Sequence, residues 1–159
     1  GTIRTIASVH LRSTHGDRKH RNGLVLNQSD VTAIRERLEA VSARRRRKIR
    51  GLKADRADIV LAGAMVVEEV IRQFNALGEA CEYSYYRTGG GAEVDLVVEG
   101  NFGRVAIEIK HTSAVSGRDL RSLRDFVAEH KARVGLVVNT DVAVRQYEEK
   151  LIGLPFTHL

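Results

Sequence analysis

The chain has 159 residues, of which 43% are hydrophobic and 29% are charged, as expected for one globular domain or two very small ones. Its single cysteine, Cys81, excludes a disulfide framework and a cysteine-based zinc site, and it fits a reducing cytoplasm. The net charge of +6, with an isoelectric point of about 9.8, is compatible with a nucleic-acid or polyphosphate partner.

The chain begins with mostly helical patterns. We predict a short helix over residues 2–11, followed by a polar stretch over residues 12–28. Three histidines, His10, His15 and His20, recur at intervals of five residues. Because an α-helix turns every ~3.6 residues, they do not share one helix face. We therefore interpret them as loop residues, with metal binding as the alternative.

Two further helices are predicted before the hydrophobic period changes after Gly78. Ser29 or Asp30 can cap a helix that runs to about residue 48. After a connector at 49–54, Asp55 can cap a long helix that ends near Gly78. The apolar stripe of this long helix is predicted to face the core and consists of Ile59, Ala62, Val66, Val70, Phe74 and Leu77.

A run of basic side chains lies at the end of the first of these helices: Arg44, Arg45, Arg46, Arg47, Lys48 and Arg50. One interpretation is a solvated helix end, where cations suit the helix dipole. The other is a contact surface for phosphate or nucleic acid, formed by the residues from Arg44 to Lys48. Few aromatic residues lie nearby, so base stacking is not expected there.

After Gly78 the hydrophobic period changes from helical to alternating. The predicted elements are strands at 82–87, 92–99, 104–110 and 134–139, helices at 119–130 and 142–149, and an edge strand at 154–159. Pro155 is tolerated only at a sheet edge. The predicted fold class is α/β, with a helical N-terminal segment and one mixed sheet flanked by helices. No apolar stretch is long enough to cross a membrane, and no signal peptide is recognised, so a cytoplasmic location is expected.

The strand at 92–99 carries acidic residues among apolar ones. Alternation predicts that Val94, Leu96 and Val98 point to one face and that Glu93 and Asp95 point to the other. The next strand places further polar residues by the same rule.

A tight turn at 100–103 would close a hairpin in which partner numbers sum to about 203. Asp95 then lies across from Glu108, with Lys110 two residues farther along the same face. Opposed carboxylates repel, and Mg²⁺ or Mn²⁺ would compensate, polarise a phosphodiester and activate water, while the lysine stabilises charge. The alternative is an exposed face where Glu108 pairs with Lys110 or Arg104, and spacing does not decide between them.

Several segments occur in a recognisable order: VVEEVIRQF, YYRTGGGAEVDLVVEG, VAIEIKHTSAVSGRDLRSLRDF, VGLVVNT and LIGLPFTHL. Over residues 65–159 this order resembles the DUF4143 domain found at the C-terminus of AAA-type ATPases, which is related to PD-(D/E)xK nucleases. The resemblance implies a restriction-endonuclease-like core. It implies Asp95 and Glu108 as metal ligands, Lys110 as the catalytic lysine, and Glu69 and Glu93 in support.

The chain departs from that family in two places. A further acidic residue of the family pattern corresponds to Gly63 here. The phosphate-binding sequence of the ATPase module is absent from the chain, so ATP hydrolysis is not expected.

The N-terminal half resembles a second family. Residues 1–72 contain GTIRTIASVHL, NGLVLNQSDVTAIRERLEAV and RRRRKIRGLKADRADIVLAGA, which resemble the second domain of exopolyphosphatases and pppGpp phosphohydrolases. Gly1 and Thr2 would match the start of that family's phosphate loop, but its first lobe is missing, so phosphatase activity is not expected. The chain is thus interpreted as a hybrid, with a helical segment at 1–54 and a nuclease-like domain at 55–159.

Three functions follow from these patterns. The first is a magnesium-dependent nuclease-like domain that binds nucleic acid. The second is a catalytically silent structural or interaction module. The third is a phosphate- or polyphosphate-binding fragment that uses Gly1, Thr2 and the basic run.

Overall fold

A computed structural model of the chain describes residues 2–14 and 25–159. Gly1, His15 and His20, which entered the predictions above, lie outside the described residues. The helices are α1 (Thr2–Thr14), α2 (Gln28–Glu39), α3 (Ala43–Arg46), α4 (Val60–Ala76) and α5 (Arg121–Glu129). The strands are β1 (Glu82–Arg87), β2 (Glu93–Gly100), β3 (Gly103–Ile109), β4 (Val134–Asn139), β5 (Arg145–Glu148) and β6 (Leu151–Pro155).

The first helix confirms the helix predicted over residues 2–11, but it places His10 inside α1 and not in a loop. The side chain of His10 lies toward α2, with Nδ1 3.7 Å from Asp30 Oδ1. The loop interpretation is therefore wrong for His10. Burial of one face of α1 explains why the helix extends this far, since Ile6, Ala7 and Val9 are almost fully enclosed.

The second helix begins at a different cap from the one predicted. Asn27 is the N-cap and accepts a hydrogen bond from the backbone N–H of Asp30, whose carboxylate accepts one from the N–H of Asn27. This capping box places Asp30 in the first turn. The helix ends at Glu39, well before residue 48, and Arg46 Nε donates to the carbonyl of Leu38 at 2.6 Å. That bond satisfies one of the carbonyls that a helix end leaves open.

The long helix α4 is rotated relative to the predicted stripe. It starts at Val60, because Asp55 lies in a separate 3₁₀ turn, and Ile59 and Leu77 are 49% and 66% exposed. Its buried residues are Val60, Gly63, Ala64, Val67, Val70 and Ile71. The predicted stripe is therefore confirmed at Val70 and, as partly buried positions, at Val66 and Phe74. It is wrong at Ile59, Ala62 and Leu77, which are exposed, because α4 packs against both α1 and α2 as well as the sheet core.

The six strands form one mixed sheet in the order β1-β2-β3-β4-β6-β5. Strand β4 is parallel to β3 and β6, while the other neighbouring pairs are antiparallel. This arrangement confirms the mixed α/β fold class and the strand predicted at 134–139. The central position of β4 explains its nearly continuous apolar sequence.

The C-terminal elements differ from the predictions. Residues 145–148 form strand β5, not a helix, because they pair with β6 and the ring of Tyr147 lies over Gly153, where a Cβ would be 2.7 Å from it. Strand β6 ends at Pro155 and lies between β4 and β5, so it is not an edge strand. Pro155 is accommodated at the strand end, opposite Asn139, before a closing 3₁₀ turn.

Apolar side chains fill both faces of the sheet. One buried cluster joins α1, α2 and α4 to sheet residues that include Leu96, Val98 and Ile107. The other joins α5 to Val94, Val97 and further sheet residues. The N-terminal helices therefore share a core with the sheet. No helix in the described part of the chain is long and apolar enough to cross a membrane.

Candidate active site

The β2–β3 hairpin sets the positions of the acidic residues. Its cross-strand partners include Leu96 with Ile107 and Val97 with Ala106, and Gly100 pairs with Gly103 at the turn. These pairs confirm the predicted sum of 203. Continuing the same register brings Asp95 alongside Glu108.

A β-bulge in β2 occurs at this point. Against β1, Val97 pairs with Ser84 and Val94 pairs with Tyr86, so β2 has one more residue than β1 between these pairs. A bulge re-aims side chains and breaks the strict alternation of a strand. As a result Val94 packs with Val97 on the α5 side, and its predicted placement beside Leu96 and Val98 is wrong.

Asp95 and Glu108 each bond to the backbone of the opposite strand. Asp95 is 2% exposed, and its Oδ2 accepts a hydrogen bond from the N–H of Ile109 at 3.1 Å. Glu108 Oε2 accepts one from the N–H of Asp95 at 3.3 Å. The two carboxylates are thus fixed by hydrogen bonds across the hairpin.

Burial raises the pKa of both carboxyl groups, because a charge is poorly solvated inside the fold. Repulsion by the charge of Asp95 adds to burial at Glu108 and raises the pKa of Glu108 to about 7. Two acids with raised pKa values in contact with one another are typical of catalytic and ion-binding sites.

Lys110 supplies the positive charge of the site. Its Nζ lies 3.0 Å from Glu108 Oε1 and 4.0 Å from Asp119 Oδ1. Burial opposes the charged form, but the neighbouring carboxylates prevail and raise the pKa of Lys110. The lysine therefore stays protonated and bridges Glu108 to the start of the α5 region.

Asp119 was not predicted as a site residue. The backbone N–H and the hydroxyl of Ser116 donate to its Oδ2 at 2.9 and 2.6 Å, and these bonds lower its pKa. The spacing from Ser116 to Asp119 suggests a local turn in the sequence. Its proximity to Lys110 depends on how the loop folds back, and no sequence pattern indicates that.

The two supporting acids lie in different surroundings. Glu93 Oε2 lies 3.6 Å from an Arg87 nitrogen and 3.9 Å from an Arg4 nitrogen, at the start of the same strand as Asp95. Glu69 accepts hydrogen bonds from Arg72 and Gln73 within α4, and these bonds lower its pKa to about 2. Glu93 is thus next to the site, whereas the polar contacts of Glu69 belong to its own helix.

The basic run is divided between structural and exposed side chains. Arg46 bonds the end of α2, and Arg47 lies 3.3 Å from Asp58. Arg44, Arg45 and Lys48 are exposed. Arg46 therefore caps the C-terminal end of α2. Arg44, Arg45 and Lys48 are accessible to an anionic partner.

The Asp95–Glu108 pair is the part of the site that could hold a divalent cation. Across residues 2–14 and 25–159, no group of three or more His, Cys, Asp or Glu side chains is placed to hold a metal ion. The Asp95–Glu108 pair nevertheless supplies two hard oxygen donors whose mutual repulsion a cation would relieve. Because Mg²⁺ keeps several waters and uses one or two carboxylates, the pair fits such an ion.

Comparison with known proteins gives one family. A family model described as "Domain of unknown function (DUF4143)" matches residues 61–159. No curated protein and no solved structure matches the chain. The match confirms the DUF4143 part of the resemblance stated for residues 65–159. The relationship to PD-(D/E)xK nucleases, the exopolyphosphatase-like character of residues 1–72 and the hybrid origin stay predictions.

Proposed function

This chain belongs to the DUF4143 family, and on that premise we propose that its hairpin carries a Mg²⁺- or Mn²⁺-dependent phosphodiesterase site of the PD-(D/E)xK type that acts on nucleic acid. The observation that supports it best is the contact set of Asp95, Glu108 and Lys110. A buried acid, a second acid that is mostly enclosed and a cation in contact with it are costly to maintain, and an ordinary solvated sheet face has no need of them.

Each residue has a distinct role in this proposal. Asp95 and Glu108 would hold the metal ion, which when bound would polarise the scissile phosphodiester and lower the pKa of a bound water. Lys110, 3.0 Å from Glu108, orients the attacking water and stabilises the negative charge that develops on the phosphate. Asp119, with Oδ1 4.0 Å from Lys110 Nζ, adds a second carboxylate beside the lysine.

The proposal is tested by cleavage of supercoiled plasmid and single-stranded DNA with Mg²⁺, with Mn²⁺ and with EDTA. We expect metal-dependent cleavage that falls by roughly 100-fold or more in Asp95→Asn, Glu108→Gln and Lys110→Gln, which is the usual loss for a general acid–base or charge-stabilising group. Glu129→Gln, an exposed acid at the end of α5, is the control and should keep wild-type activity. Equal activity in Asp95→Asn and wild type, or no cleavage with either metal, would contradict the proposal.

A catalytically silent module is the second candidate, and Gly63 favours it. This residue is buried in α4 where the family pattern has a further acid, so the site has one carboxylate fewer. Calorimetric titration with Mn²⁺ separates the two candidates. A silent module should show no metal binding that Glu108→Gln abolishes, whereas a metal-dependent enzyme should show it.

A further inference from the structure

A cleft of about 110 Å³ lies between α1 and the segment that precedes α4. It is lined on the helix side by Arg4, Thr5 and Ser8, and on the other side by Gly51 and by Lys53, Asp55 and Arg56. None of these residues belongs to the carboxylate site, and none was singled out as a ligand in the sequence.

The cleft depends on a close approach of the two segments. Gly51 has φ +92°, and a Cβ at this position would lie 2.6 Å from the carbonyl oxygen of Ser8. Only glycine therefore lets the chain pass this close to α1 with this backbone conformation. Ser8 is 9% exposed and lies where the two segments meet.

The charges of the lining favour an anion. Three cationic side chains, Arg4, Lys53 and Arg56, face one carboxylate, Asp55. Lys53 and Arg56 are exposed and form no ion pair with any described residue. Arginine and lysine donors suit phosphate oxygens, and the volume accommodates a phosphate group but not a nucleotide base with its sugar.

The cleft is connected to the carboxylate site through one ion pair. Arg4 is 3.9 Å from Glu93, and Glu93 stands two residues before Asp95 in β2. Helix α1 also packs against β2. Arg4 therefore lies both at the cleft and beside the start of the strand that carries Asp95.

We propose that Arg4, Lys53 and Arg56 bind a backbone phosphate of a nucleic-acid strand and hold that strand in line with the carboxylate site. The choice of a nucleic-acid strand as the source of the phosphate rests on the proposed function. The ability of the cleft to bind an oxyanion does not rest on the proposed function. Phosphate binding and cleavage are therefore tested separately.

The test measures binding of a labelled 12-nucleotide single-stranded DNA by fluorescence anisotropy, in EDTA so that no cleavage occurs. Lys53→Gln combined with Arg56→Gln should raise the Kd about tenfold, and two lost phosphate contacts should reduce the slope of log Kd against log salt by about 1.4. The control combines Lys131→Gln with Lys150→Gln, which removes the same charge from exposed positions elsewhere. It should stay within about twofold of wild type.

Equal losses in the cleft variant and the control would overturn the proposal, because net charge alone would then explain them. Binding of inorganic phosphate to the wild type, measured by calorimetry, without any binding of the oligonucleotide would also overturn it and would assign the cleft to free phosphate. If the wild type cleaves nothing while the cleft variant still loses affinity, only the proposed phosphodiesterase activity fails.

Discussion

The carboxylates of Asp95, which is buried, and Glu108, which is mostly enclosed, place like charges close together. Each accepts a backbone hydrogen bond from the opposite strand, which stabilises the ionised form, but burial acts against it. Lys110 offsets part of the repulsion by its contact with Glu108. A bound cation would relieve the repulsion between the two carboxylates, and this is the physical basis of the proposed metal dependence.

The titration of Glu108 should lower the free energy of unfolding as the pH rises. Burial and the charge of Asp95 raise its pKa from the ordinary 4.5 to about 7, so between these values the folded state binds a proton that the unfolded state has released. The free energy of unfolding should therefore fall as pH rises through this window, by up to about 3 kcal/mol at ~1.4 kcal/mol per pKa unit. Glu108→Gln should remove the contribution of Glu108, whereas Asp95, whose pKa burial also raises, contributes a fall of the same sign.

Urea unfolding at pH 5 and pH 7.5, without metal, measures this effect. Glu69→Gln is the control, because hydrogen bonds lower the pKa of Glu69 to about 2 and its titration lies below the window. A pH dependence that Glu108→Gln leaves unchanged would show that Glu108 does not titrate near pH 7.

Among the elements, α4 shows how packing selects a helix face. Its sequence is apolar over much of its circumference, so two neighbouring stripes are both plausible from spacing. The buried face contains the small residues Gly63 and Ala64, and α4 packs against both α1 and α2. The larger side chains of Ile59 and Leu77 are exposed to solvent.

The phase of α4 gives a prediction for stability. Ile71→Ala removes a side chain that is 0% exposed and should lower the free energy of unfolding by about 2–5 kcal/mol. Leu77→Ala, at a position 66% exposed, should change it by less than about 0.5 kcal/mol. Urea denaturation of the two variants measures both values, and equal losses would place the buried face of α4 elsewhere.

For the molecule as a whole, the N-terminal helices and the sheet share one buried cluster. Ile6 of α1 is as enclosed as Leu96 of β2, and both belong to it. Small domains whose elements share a core usually unfold in one cooperative step. The two segments predicted at 1–54 and 55–159 should therefore unfold together.

This cooperativity can be measured because the four tyrosines, Tyr83, Tyr85, Tyr86 and Tyr147, all lie in strands. Tyrosine fluorescence reports the sheet, whereas circular dichroism at 222 nm is dominated by the helices. The two urea transitions should coincide, and Ile6→Ala should lower both midpoints equally. A shift in the helical signal alone would show that residues 1–54 fold as a separate unit.

By itself, the sequence determined the features that depend on near neighbours in the chain. Alternation indicated β1, a nearly continuous apolar run indicated β4, and the glycine turn set the hairpin register. With that register came the pairing of Asp95 with Glu108. These follow from backbone geometry over a few residues. The same local rules gave the existence of α4 but not its orientation.

Only the tertiary structure decided features that depend on residues distant in sequence. Residues 145–148 form a strand because β6 is there to pair with, and Val94 changes face because β1 imposes a bulge on β2. Asp119 reaches Lys110 only when the loop before α5 folds back. Packing and cross-strand pairing select among conformations that local propensity leaves nearly equal in free energy, and so they set these parts of the fold and the full contact set of the site.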